Sequence, residues 1–203
     1  MSCRILLIRH GETEWNANHR VQGHTDSPLN ERGRNQARLL AERLASTKIH
    51  SFYSSDLDRA KETAGIVALP HGLPVLTDPR LRELDFGKWE GLKIEEVEAM
   101  HPGMMKSWWK NPLDNHFPGT EKLTDLISRC EQIMESIINR HQEETVAVVS
   151  HGGTIRSIIC TVLGIKHSEL WRIYIDNTSI SRIDFLPGWK GVVMVLNDHA
   201  HLD

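Results

Sequence analysis

Residues 5–11, ILLIRHG, run from a short apolar stretch directly into an arginine, a histidine and a glycine. Residues 145–153, TVAVVSHGG, repeat the design late in the chain. A short apolar run without polar alternation predicts a strand buried on both faces, the kind found in parallel sheets. Two such strands, each ending in His-Gly, place Arg9, His10 and His151 at strand tips and raise the question of whether those tips meet.

The intervening sequence alternates strand and helix signals. LNERGRNQARLLAERLAS (29–46) offers Asn30 as an N-cap and sets Ala37, Leu40, Ala41 and Leu44 on one helical face. HSFYSS (50–55) predicts a second strand. DLDRAKETAGIVAL (56–69) predicts a helix opening at its acidic end, as the macrodipole favours, with Arg59 in its first turn. GLPVLTDPRL (72–81) reads as loop and short extended chain. Residues 88–119 are aromatic and Pro-bearing, with one clear helix, IEEVEAM, stopped before Pro102; a cap or loop region is expected there.

TEKLTDLISRCEQIMESIINRH (120–141) carries Leu123, Leu126, Ile127, Cys130, Ile133, Met134 and Ile137 at helical spacing. GGTIRSIICTVLG (152–164) reads as an apolar helix closed by Gly164. SISRIDF and GVVMVLN, joined by LPGWKG (186–191), predict an antiparallel hairpin. With no internal repeat or linker, residues 1–203 are expected to form a single α/β domain of three layers, a mostly parallel sheet with helices on both faces.

Composition narrows the function. The chain is 39% apolar and 25% charged, the balance of an ordinary globular protein. Its formal net charge is −3 and its positive residues are scattered, so it lacks the electrostatic footprint of a nucleic-acid binder. Cys3, Cys130 and Cys160 lie far apart and outside any CxxC pair, which argues against a disulfide framework or zinc cluster and for a reducing compartment. The N-terminal apolar run is too short for a signal peptide or membrane span, so a cytoplasmic chain without a membrane partner is expected. His199 and His201 in DHAHL suggest a metal pair but lack a third ligand, and no metal is expected. Trp108 and Trp109 read as packing residues or pocket walls, Lys88, Lys93 and Lys110 as solvated surface, and His141 as a helix C-terminal residue.

In open α/β sheets, ligands bind beyond the carboxyl ends of the strands, where helix N-termini offer backbone donors. One RHG loop alone would read as structural. Two His-Gly strand ends, with Arg59 opening a helix after a third strand, could converge on one pocket. Two guanidinium groups and two imidazoles match the charge and shape of phosphate. Expelling an alkoxide from phosphorus then needs an acid, and Glu83 in LRELDFG (81–87) is the candidate; its bland alternative is a surface ion pair with Arg80 or Arg82.

RHGETEWN (9–16), QGHTDSPLNERG (22–33), YSSDLDRAKETA (53–64), LRELDFGKWEG (81–91) and VVSHGG (148–153), in this order, resemble the phosphoglycerate-mutase-like branch of the histidine phosphatase superfamily from Ile5 to about Leu202. The resemblance implies that His10 is the nucleophile and Glu83 the proton donor. It also implies that Arg9, Arg59 and His151 clamp the phosphoryl group, that Asn16, Gln22, Gly23 and Gly152 bind substrate, and that no cofactor is used. On this pattern a neutral His10 attacks phosphorus, while Arg9, Arg59 and a protonated His151 spread the charge of the transition state.

The family's cofactor-dependent mutases carry ERHYG and a segment with paired arginines. This chain reads ELDFG, placing Asp85 where the mutases have histidine, and has no Arg-Arg pair between Trp89 and Gly119. A phosphomonoesterase acting on a small phosphorylated metabolite is therefore expected, as a monomer or homodimer. The pattern is similar to broad-specificity phosphatases, alpha-ribazole phosphatases of cobalamin biosynthesis and metal-independent phosphoserine phosphatases, and it leaves the substrate open. Relatives often show GGES where this chain has PGTEK (118–122). The alternative class is a non-catalytic phosphate-binding protein, which would usually have lost the nucleophile or the acid.

Overall fold

The computed structural model describes residues 2–115, 119–186 and 191–203. In chain order the elements are β1 (Cys3–Arg9), α1 (Glu14–Ala17), α2 (Glu31–Leu44), β2 (Ser51–Ser54), α3 (Asp58–Ala68), β3 (Val75–Thr77), α4 (Ile94–Met100), α5 (Met104–Lys110), α6 (Leu123–Arg140), β4 (Thr145–Ser150), α7 (Gly152–Leu163), β5 (Ile180–Phe185) and β6 (Val192–Asp198). Short 3-10 turns punctuate the connections.

One six-stranded sheet runs in the order β3-β2-β4-β1-β5-β6. β1, β2, β3 and β4 pair in parallel, and β5 and β6 add an antiparallel edge. The apolar runs are explained by two-sided burial. Ile5, Leu7, Val146, Val148 and Tyr53 point into one core, shared with Leu126, Ile133 and Ile137 of α6 and Ile155 and Ile159 of α7. Leu6, Ile8, Ala147, Val149 and Phe52 point into the other, shared with Leu40 and Leu44 of α2 and Ala60, Ala64 and Val67 of α3. Successive residues of one strand thus feed opposite layers, and both faces of these runs call for apolar side chains.

The expected helices form at the expected places, with Asn30 capping α2 through Gly33 N at 2.8 Å and Gly164 closing α7 at φ 65°. Two short helices, α1 and α5, were not expected from the sequence. α1 has only four residues and is fixed by a capping box between Thr13 and Asn16. In α5 Trp108 is 4% exposed and packs on Phe86 and Trp171, whereas Trp109 is 47% exposed. The tip of the β5–β6 hairpin, 187–190, and part of the 88–119 region, 116–118, lie outside the described residues. Among the described residues no helix is long and apolar enough to cross a membrane.

Candidate active site

The parallel register of β1 and β4 aligns Arg9 with Ser150, so the next residues, His10 and His151, emerge side by side. His10 N donates to Ser150 O at 2.9 Å, and the two imidazole centroids are 5.1 Å apart. His10 is 3% exposed, and its Nδ1 lies 2.7 Å from Gly11 O. A carbonyl can only accept, so Nδ1 carries the proton and Nε2 keeps its lone pair. Burial, then the charges of Arg59 and Arg9, hold His10 well below the usual histidine value; the bond to Gly11 opposes them only in part.

His151 is fully buried, and among the described residues neither ring nitrogen has a hydrogen-bond partner. Burial, followed by Arg59, His10, Arg129 and Arg9, depresses it strongly as well. Without a bound anion the surroundings of His151 favour the neutral ring; the protonated His151 expected from the sequence refers to the transition state, where the phosphoryl anion would supply a counter-charge.

Arg59, on the first turn of α3, is also fully buried. Its Nη2 donates to Gly23 O at 2.5 Å and its Nη1 to Thr25 O and Asp26 Oδ1 at 3.2 and 3.3 Å. Arg9 donates through Nη1 to Ile175 O at 2.7 Å, and burial together with Arg156 brings its pKa down to about 10. Gln22 Oε1 accepts from Thr13 Oγ1 and Asn16 Nδ2, both at 3.2 Å. The loop carrying Gln22 and Gly23 is tied down by Glu90, whose carboxylate accepts from the backbone N–H of His24, Thr25 and Phe86.

Eight buried side-chain polar atoms lack a partner among the described residues, and five of them belong to Arg9 (Nε), Gln22 (Nε2), Arg59 (Nε) and His151 (Nδ1, Nε2). Buried donors without acceptors are costly and rare in a finished structure. Their concentration at the residues singled out by sequence marks a site shaped for an electron-rich polar ligand.

Glu83 is not in a surface ion pair: Arg80 is engaged by Asp78 and Arg82 by Asp56. Instead Glu83 Oε2 accepts from Gly153 N, in the first turn of α7, at 2.9 Å, and Oε1 accepts from Leu84 N at 2.9 Å. A Cβ on Gly153 would collide with the carboxylate, so the second glycine of SHGG is what lets Glu83 approach. The carbonyls of residues 80–83 are all captured. Ser150 Oγ holds Leu81, Thr154 Oγ1 holds Arg82, His24 Nε2 holds Glu83, and Arg129 from α6 reaches Arg80, Arg82 and Glu83. Arg129 is itself fixed by both oxygens of Glu121.

Sequence reasoning missed Arg129, Glu90 and Asn177, whose Nδ2 donates to His10 O at 2.9 Å and to Asn16 Oδ1 at 3.3 Å. Arg129 did leave a signal, as a charged residue beside the Leu126–Cys130–Ile133 stripe of α6. The structure separates the two C-terminal histidines: His199 faces Asp176 at 3.4 Å, and His201 bonds to Thr178. Among the described residues no group of three or more His, Cys, Asp or Glu is placed to hold a metal. A cavity of about 620 Å³ borders the site through Arg9 and Asn16. Another, of about 690 Å³, is lined by Cys130, Met134, Ile158 and Phe185 and contains none of the candidate residues.

The model of the histidine phosphatase superfamily (branch 1) matches residues 5–198. Phosphoserine phosphatase 1 of Hydrogenobacter thermophilus is 37% identical over 199 residues, covering 98% of this chain and 94% of that protein. Phosphoglycerate mutase-like protein 4 of Arabidopsis thaliana is 41% identical over 202 residues, covering 98% and 86%. Among solved structures, Bacillus stearothermophilus YhfR matches with a TM-score of 0.94 at 35% identity, covering 99% of this chain and all of that one. This kinship supports phosphatase activity. The match runs nearly the full length of the chain, and the protein belongs to branch 1 of the histidine phosphatase superfamily.

Proposed function

We propose that this protein is a metal-independent phosphomonoesterase that passes the phosphoryl group of a small phosphorylated metabolite first to His10 and then to water. The observation that carries the proposal is the state of His10: neutral, with Nδ1–H on Gly11 O and a lone pair on Nε2, beside donors of Arg9, Arg59 and His151 that have no hydrogen-bond partner among the described residues.

In the first step Nε2 bonds to phosphorus as the ester P–O bond breaks, and Glu83 gives its proton to the departing oxygen. Positive charge develops on the ring, where the Gly11 carbonyl stabilises Nδ1–H. Arg9, Arg59 and Gln22 receive the equatorial oxygens, whose charge is largest in the transition state. In the second step Glu83 takes a proton from water, the oxygen bonds to phosphorus, and the N–P bond breaks to restore neutral His10.

Water as acceptor is supported by Asp85, whose Oδ1 accepts from Gly87 N at 2.7 Å and whose Oδ2 lies 3.8 Å from His24 Nδ1. An anion here opposes retention of a second phosphoryl group. Retention of both His10 and Glu83 weighs against a purely phosphate-binding protein. A hydrolysis screen over phosphomonoesters, run with and without chelator, is the test. Activity should survive exhaustive chelation, and isomerisation of 3-phosphoglycerate should be negligible with or without bisphosphoglycerate. Activity lost to chelator and restored by one divalent ion would refute the metal-free mechanism, and substantial isomerisation would refute the Asp85 argument.

The depressed histidines also fix the sign of a pH effect. Folded His10 and His151 resist protons that the unfolded chain accepts near the ordinary histidine value. Stability is therefore expected to be unaffected by these groups above that value and to fall as pH drops through it toward their folded values. Urea unfolding at stepped pH, with NMR titration of the imidazoles, measures both. A His10 ring already charged at pH 6 would overturn the argument.

A further inference from the structure

Asn177 stands at the corner that leads into β5, and its amide joins the backbone of His10 to the loop that carries Asn16 and Gln22. Each amide along this chain of bonds has its orientation set by a group with a single role. Thr13 N can only donate and bonds to Asn16 Oδ1 at 3.3 Å, so Asn16 Nδ2 faces Gln22 Oε1 at 3.2 Å. Thr13 Oγ1 accepts from Asn16 N at 3.1 Å, and its own proton goes to Gln22 Oε1 at 3.2 Å. His10 O can only accept, which turns Nδ2 of Asn177 inward, within 2.9 Å of that carbonyl and 3.3 Å of Asn16 Oδ1. With Oε1 of Gln22 doubly engaged, its Nε2 is left as a buried donor without a partner among the described residues.

The corner itself is built to hold. Thr178 is fully buried with φ at 57°, a left-handed conformation that a β-branched residue keeps only where its surroundings impose it. Thr178 N donates to Arg9 O at 3.0 Å and to His10 O at 3.4 Å, and its Oγ1 lies 3.1 Å from His201 Nε2. On the other side, Asp176 N donates to Asn197 Oδ1 at 2.6 Å, and Asp176 Oδ2 accepts from Asn197 Nδ2 at 2.8 Å. Asn177 is thus fixed between two pinned neighbours, and the backbone strain falls at the residue that turns its amide onto His10.

Building on the phosphomonoesterase reading, we propose that Asn177 is a positioning residue: it locks Asn16, and through Asn16 the side chain of Gln22, so that Gln22 Nε2 is aimed at the phosphoryl group carried by His10. Without the Asn177 amide, Asn16 Oδ1 keeps only the weak bond from Thr13 N, and the Asn16 side chain is free to turn. Gln22 then loses the donor that tells its two ends apart, and a flipped amide presents a lone pair instead of an N–H to an anion. The bond to His10 O sets this relay in register with the nucleophile.

A double-mutant cycle on hydrolysis of p-nitrophenyl phosphate supplies the test, with wild type, Asn177→Ala, Gln22→Ala and the double variant. Asn177→Ala should lose about 5- to 50-fold in kcat, the scale of leaving buried amides mispaired, with KM changed by less than about twofold. In the Gln22→Ala background the same change should cost less than about twofold, because the group through which Asn177 acts is gone. A merely structural role would lower activity by the same factor in both backgrounds, and such multiplicative losses overturn the proposal. Wild-type kcat in Asn177→Ala overturns it too, as does a loss confined to KM. Should Asn177→Ala not fold, as judged by circular dichroism and urea unfolding, Asn177→Ser removes the amide and keeps a small polar side chain, and the same cycle is read on it. A wild-type protein that hydrolyses no phosphomonoester would refute the phosphatase reading itself and this proposal with it, an outcome distinct from the others.

Discussion

Replacing His10 by alanine should lower hydrolysis of every phosphomonoester by on the order of 10⁴- to 10⁶-fold, the scale on which removal of a nucleophile acts. The fold should tolerate the change, because Nδ1 bonds only to the adjacent Gly11 carbonyl and the backbone N–H that meets Ser150 O remains. The loss should appear in kcat, since Arg9, Arg59 and Gln22 still offer their donors. Intact-mass measurement after acid-free quenching should show one added phosphoryl group on the wild type during turnover and none on the variant. The adduct should be acid-labile and base-stable. A fully active His10→Ala, or an adduct of the same mass on it, would move the nucleophile elsewhere.

The parts of this site that could be read from the sequence are those where chemistry and backbone position coincide. His10 and His151 stand directly after doubly buried strands, and the parallel pairing of β1 with β4 brings them together without help from any side chain. Arg59 follows from its place in the first turn of α3. Glu83 was legible as a candidate but not as a decision. Its rival reading fails only because Asp78 and Asp56 engage Arg80 and Arg82, a matter of tertiary placement. Arg129 reaches the carbonyls of Arg80, Arg82 and Glu83 from a helix more than forty residues away in sequence, and Glu90 ties one loop to another. No local period encodes such contacts. The charge state of His151 was likewise beyond sequence, since it depends on burial and on how many guanidinium groups converge.

Glu83→Gln should slow hydrolysis of alkyl phosphates by roughly 10²- to 10⁴-fold, the usual cost of removing a positioned general acid. Glutamine keeps the side-chain size and a carbonyl oxygen to accept from Gly153 N, and gives up only the bond that Oε1 accepts from Leu84 N along with the transferable proton. The captured carbonyls of residues 80–83 should hold the loop in place in the variant. Leaving-group dependence separates the two roles assigned to this residue. An aryl oxide departs with little help from a proton, so the first step should be slowed far less for an aryl phosphate. The second step still needs a base to activate water, and phosphohistidine on His10 should therefore accumulate with the aryl substrate. Pre-steady-state bursts on one aryl and one alkyl phosphate read this directly. Equal slowing of both bursts would show that Glu83 does not protonate the leaving oxygen, and the acid would then have to be sought at Asp85, the nearby carboxylate beside His24.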